Sequence, residues 1–148
     1  DKLVACGVKG VVIFNRFYTP DIDLDSLSIV SASPMSSPEE YLQTLRWTAI
    51  ISSSVKNIDI SVTTGIHTSS SAIKQILAGA ETVQLCTTLY KNGLGMISTI
   101  NQEISEFMEK NNFSSVEQMR GRLNYSTIKD PAKYERVQFL KTFGSFSK

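Results

Sequence analysis

The chain has 148 residues, 41% of them hydrophobic, and its 15 Lys and Arg against 14 Asp and Glu leave a net charge of +1. That length fits one domain with a real core, and the near-neutral charge excludes a basic field for nucleic acid. No apolar run approaches the roughly 18 residues a membrane span requires, and the opening DKLVACGVKG lacks a signal-peptide layout.

Residues 1–6 read as the last turn of a helix already in progress, closed by Gly7, so the chain is expected to be a piece of something longer. Residues 10–14, GVVIF, are a continuous apolar run, the pattern of a strand covered on both faces. A polar excursion follows, interrupted by Pro20, Asp21, Asp23 and Asp25, in which residues 27–30 suit a short ribbon strand. Ser37-Pro38-Glu39-Glu40 is a helix start, with a capping Ser, Pro at the first position and acids in the first turn. The helix is expected to reach about Val55, with Tyr41, Leu42, Leu45, Thr48, Ala49 and Ser52 on one face.

Residues 57–90 carry the strongest signal. A strand over 58–62 enters the polar turn Thr63-Thr64-Gly65, a helix opens near Thr68 and stops at Gly79, and a second strand over 82–86 ends in Thr87-Thr88. Two strands joined by a helix make a right-handed parallel βαβ unit. Residues 93–110 then predict a long amphipathic helix with Leu94, Ile97, Ile100, Ile104, Phe107 and Met108 along one side. A short helix follows from Ser114-Ser115-Val116-Glu117 to near Leu123. Asp130-Pro131 begins a last one through Phe139, and a polar tail is expected to fray.

Strands alternating with helices mean an α/β fold with a parallel sheet. Three strands leave two open edges and an incompletely covered inner face. The expected architecture is therefore the C-terminal half of a TIM (β/α)8 barrel: three parallel strands with helices, plus C-terminal helices. Residues 1–148 are read as a single partial domain with a helical extension from about residue 111. The open edges also predict self-association.

Parallel strands place their ligand-binding ends on one side. Here those ends are Asn15-Arg16, Thr63-Thr64-Gly65 and Cys86-Thr87-Thr88. The amides around Thr64, Gly65 and Ile66, with those of Cys86 and Thr87, could converge on one phosphate. An ordinary strand–helix turn with Thr68 as N-cap accounts for the same residues equally well. Asn15 is either an amide donor and acceptor for a planar ligand or a loop residue, and Arg16 either faces an anion or lies in solvent. His67, the only histidine, shows no partner in the sequence and reads more simply as a surface residue than as a catalytic one. Cys6 and Cys86 read as small apolar fillers, with no second pair to make a metal site, which fits a reduced, cytoplasmic protein. No catalytic acid, base or nucleophile is identified.

The segments GVVIFNRFYTPDIDLDSL, LRWTAI, TTGIHT, LAGAETVQLCT and SSVEQMRGRL together resemble the C-terminal half of the dihydroorotate dehydrogenase-like flavoproteins, TIM barrels of the FMN-dependent dihydroorotate dehydrogenase superfamily. The resemblance runs from Val8 to about Leu140. It implies FMN as cofactor and dihydroorotate or a related pyrimidine as substrate, in pyrimidine biosynthesis. It also implies that the three strands are the sixth to eighth of the barrel. Asn15 matches a pyrimidine-binding Asn, Gly65 the second glycine of a paired-glycine turn that binds the FMN phosphate, and Cys86-Thr87 a Gly-Thr pair completing that site. Val62, Thr64 and Cys86 stand where the family usually carries Gly, and Arg16 where it carries Ser or Thr. The family's proton-abstracting Cys or Ser and its flavin-contacting Lys belong to the barrel's first half, so this chain alone is expected to be inactive.

Overall fold

A computed structural model describes residues 1–16 and 19–135. A helical turn, α1 (Lys2–Ala5), leads into β1 (Gly10–Ile13). An antiparallel ribbon of β2 (Pro20–Asp23) and β3 (Ser28–Ser31) follows, with Ile22 opposite Ile29. A 3-10 turn (Pro38–Glu40) feeds α2 (Tyr41–Ser54), then β4 (Asp59–Val62), α3 (Ser69–Ala78) and β5 (Thr82–Val83). The chain closes with α4 (Thr87–Asn92), α5 (Gly95–Lys110), α6 (Val116–Met119) and α7 (Ala132–Glu135). The main sheet is parallel in the order β1-β4-β5, with Ile13 beside Val62 and Val62 beside Val83.

The βαβ unit forms where its punctuation predicts. Thr68 caps α3 by accepting the Ser71 N–H, and Gly79 ends it in the left-handed region at φ +117°. The apolar stripe of α3 supplies buried Ala72, Ile73 and Ile76. Ala72 packs with Ile13, Ile60, Val62, Ile66, Ala80 and Ile100 into the main core, and Ile73 and Ile76 join Met119 in a second cluster. After α6 the chain returns across the helices: Gly121 and Leu123 donate to the carbonyls of Ile76 and Leu77, and Tyr125 to that of Ala49.

Several expectations are corrected. Helices cover the sheet on one face only, so the two-sided cover read from GVVIF is not supplied within this chain. The other face, where Val12 is 55% exposed, is the incompletely covered inner face expected of three barrel strands. The open row Val12, Ser61, Thr82 is partly polar, and Ser61 Oγ accepts from Thr82 and Gln84. On α2 the buried residues are Thr44, Thr48 and Ala49, while Leu42 points outward. A polar seam explains this. Thr48 donates to the Thr44 carbonyl, Ser52 to that of Ala78, and the amide of buried Gln75 donates to the Tyr41 carbonyl and to Thr44 Oγ1. Small hydroxyl residues whose protons are satisfied locally let two helices approach closely.

The strand expected over 82–86 stops at Val83, because the ladder ends where Gln84 N–H meets the Val62 carbonyl. A separate helix, α4, then begins at Thr87. Gly93, at φ +80°, breaks the helical phase before α5, leaving Leu94 and Ile97 exposed beside buried Ile100. Cys6 and Cys86 are both exposed, not apolar fillers. Residues 136–139 of the expected last helix, and the tail after them, lie outside the described residues.

Candidate functional site

The loops at the carboxyl ends of β1, β4 and β5 meet around the segment that leads into α2. Thr64 and Gly65, the two residues of the turn after β4, both take left-handed φ, at +76° and +79°. Thr64 holds the turn to β1 by donating its hydroxyl to the Phe14 carbonyl at 2.9 Å. Gly65 is buried against the main chain of Glu40 and Tyr41, where a Cβ would lie 2.8 Å from the Glu40 carbonyl carbon. Ile66 then enters the core at 3% exposure.

The end of β5 comes to the same place through a buried hydrogen-bond cluster. Ser36 donates both its main-chain N–H (3.0 Å) and its hydroxyl (3.1 Å) to Thr87 Oγ1, and Ser36 Oγ lies 3.0 Å from His67 Nε2. Thr88 donates to the His67 carbonyl and accepts from Asn92. His67 is therefore buried, which corrects its reading as a surface residue. Its partner comes from a polar loop 31 residues earlier, and no periodicity in the sequence signals that contact.

Among the described residues, the main-chain N–H groups of Thr64, Gly65, Ile66, Cys86 and Thr87 donate to no protein acceptor. Gly65, Ile66 and Thr87 are buried residues, and the Thr87 N–H opens α4, where a helix leaves its first amides without partners of its own. Two strand ends thus present donors without acceptors, the chemistry of an anion cradle.

Asn15 and Arg16 sit on the neighbouring side, lining a cleft of about 620 Å³ with Phe14, Gln43, Trp47 and Thr64. Thr64 belongs to both regions. Phe14 meets Trp47 edge-on, with 6.4 Å between ring centroids. Asn15 is exposed and its side chain makes no hydrogen bond among the described residues. Arg16, its side chain 28% exposed, pairs its guanidinium with Glu40 at 2.9 Å and donates to the Ser33 carbonyl at 2.8 Å. Glu40 in turn accepts the Ser37 N–H, so one carboxylate ties the strand end to the start of the helix. Next to it, the Glu39 carboxyl is held below its ordinary value, first by a hydrogen bond from the Ser37 side chain and to a lesser degree by the nearby His67.

The family model described as Dihydroorotate dehydrogenase matches residues 3–108. The chain belongs to this family. Over 67 residues it is 40% identical to the dihydroorotate dehydrogenase (fumarate) of Lachancea kluyveri, a match covering 45% of this chain and 21% of that protein. Over 64 residues it is 41% identical to the chloroplastic dihydropyrimidine dehydrogenase (NADP(+)) of Arabidopsis thaliana, covering 43% and 15%. Among solved structures, the Eimeria tenella DHODH in complex with ferulenol superposes with a TM-score of 0.64 over 80% of this chain and 32% of that one, at 18% identity. That likeness establishes the fold: the sheet and its helices are part of a dihydroorotate dehydrogenase-type TIM barrel. The chain aligns with about a fifth or less of the length of these two curated relatives. The family match ends at residue 108, within α5, so the segment that packs back through Met119 and Tyr125 lies beyond it.

Proposed function

We propose that this chain is the C-terminal part of an FMN-dependent oxidoreductase of pyrimidine metabolism, acting on dihydroorotate or a related dihydropyrimidine. Its own role is to hold the FMN phosphate and to form one wall of the substrate site. The observation that carries this reading is the set of main-chain donors without acceptors at Gly65, Ile66 and Thr87, three buried residues in the turn after β4 and at the start of α4. A phosphate dianion would satisfy them together. Thr64 and Cys86 complete the cradle through their main chains. Thr64 keeps the required left-handed geometry despite its Cβ because its hydroxyl is anchored to Phe14.

When bound, FMN supplies the two-electron acceptor for a hydride from the dihydropyrimidine. Asn15, with its amide unengaged, is the proposed pyrimidine contact. Arg16, neutralised by Glu40, shapes that cleft instead of lending it charge. Proton abstraction and flavin-ring contact are assigned to residues outside this chain, so the chain alone should not turn over. The proposed setting is the cytoplasm; no described helix is long and apolar enough to cross a membrane.

The test is direct. The full-length protein, purified gently, should show flavin absorbance that bleaches when dihydroorotate is added without oxygen. A colourless protein that takes up no FMN on titration would end this reading.

A second reading, self-association of the chain through its uncovered surfaces, is favoured by one observation. Ile22, Leu24, Leu27 and Ile29 on the β2–β3 ribbon are 65–83% exposed, and Val12 on the sheet is 55% exposed. Light scattering at micromolar concentration should find more than a monomer; a monodisperse monomer would exclude it.

A further inference from the structure

The buried cluster at the two strand ends has a direction. Thr87 Oγ1 receives two donors from Ser36, the main-chain N–H and the hydroxyl. With its proton directed to Thr87, Ser36 Oγ is left to accept from His67 Nε2, an arrangement that requires the proton of the ring on that nitrogen. Thr87 then keeps a hydroxyl proton with no acceptor among the described residues, although the residue is only 7% exposed. That proton lies on the residue whose main-chain N–H also has no protein acceptor among the described residues.

We propose, building on the phosphate-cradle reading, that His67 and Ser36 are positioning residues that aim the Thr87 hydroxyl proton at the flavin phosphate. The order is His67 Nε2–H to Ser36 Oγ, Ser36 Oγ–H to Thr87 Oγ1, and Thr87 Oγ1–H to a phosphate oxygen. Neither His67 nor Ser36 needs to touch the ligand. Reversing the ring tautomer reverses the chain: a bare Nε2 takes the Ser36 proton, Ser36 takes the Thr87 proton, and nothing is left for the anion. The Thr88 hydroxyl, hydrogen-bonded to the His67 carbonyl at 3.2 Å, fixes the main chain that carries the ring.

The test compares binding of FMN and of riboflavin, which lacks the phosphate, to the full-length protein and to its His67→Leu, His67→Gln and Ser36→Ala variants. Nitrogen-15 NMR of the His67 ring in the FMN-loaded wild type accompanies it. His67→Leu and Ser36→Ala should lose roughly tenfold in FMN affinity, the worth of one charge-assisted hydrogen bond, with riboflavin affinity unchanged. His67→Gln, which keeps an N–H donor, should recover most of the loss, and the wild-type ring should carry its proton on Nε2. A ring protonated only on Nδ1 overturns the proposal without any variant having to fold. So does a His67→Leu protein that still prefers FMN by the wild-type margin. If the wild type binds both flavins equally, the cradle itself is wrong and the relay falls with it; if it discriminates and the variants do too, only the relay falls.

Discussion

Gly65 packs directly against the main chain of Tyr41. A Cβ added to Gly65 would lie 2.9 Å from Tyr41 Cα and closer still to the Tyr41 nitrogen, and Gly65 is at φ +79°. Backbone cannot swing away as the end of a side chain can, so Gly65→Ala combines left-handed strain of about 1 kcal/mol with overpacking of 1–3 kcal/mol. The expected outcome is a loss of about 3 kcal/mol, read from the urea midpoint of the full-length protein. A loss below about 1 kcal/mol would show that the turn and the helix start are not packed this tightly.

Arg16 and Glu40 make a partly buried pair, with side-chain exposures of 28% and 31%. Such pairs contribute about 1 kcal/mol or less. Arg16→Gln should therefore lower stability by about that amount while leaving KM for an anionic pyrimidine within about threefold of wild type. A KM rise of tenfold, equivalent to about 1.4 kcal/mol of lost binding, would mean that Arg16 leaves Glu40 to meet the substrate.

Much of the fold is legible because its signals are local. The apolar run before Thr63 and the capping Thr68 and terminal Gly79 mark the βαβ unit without reference to any other part of the chain. The site is only half legible. Gly65 stands out because glycine before a helix start is a recognisable choice, but the burial of His67 depends on Ser36, which sits in a polar run with no period. Likewise, apolar patterning treats Thr44, Thr48 and Gln75 as neutral, yet these residues form the seam between α2 and α3. Val12 is legible in another way: its run is apolar enough for two covers, and the three strands with their helices supply one, as expected of part of a barrel.

Asp23 controls the ribbon turn. Its carboxylate accepts the Ser26 N–H and the Ser26 hydroxyl, both at 2.7 Å, and these bonds, the main-chain one foremost, hold its pKa below the ordinary value. A depressed folded-state pKa gives stability that is fully present above the unfolded carboxyl value of about 3.9 and is lost as pH falls through the lower folded value. The ribbon amides, Ser26 first, should therefore shift below pH 4 in an NMR titration while those of β4 stay in place. Asp23→Asn should remove the transition. A Ser26 amide that titrates at the ordinary carboxyl value would contradict the contact.

Thr64 offers the sharpest test of the cradle, because two effects oppose each other there. A β-branched residue at φ +76° carries strain of about 1–2 kcal/mol. Its hydroxyl bond to the Phe14 carbonyl, at 2.9 Å, returns about 1 kcal/mol. Thr64→Gly removes both, so stability should change by less than about 1 kcal/mol in either direction. Flavin binding should respond more strongly, since losing the Cβ opens the main-chain donors beside Gly65. FMN affinity should rise severalfold, with riboflavin unaffected, in paired fluorescence titrations. Weaker FMN binding by a variant of unchanged stability would show that the Thr64 side chain, not its main chain, serves the ligand.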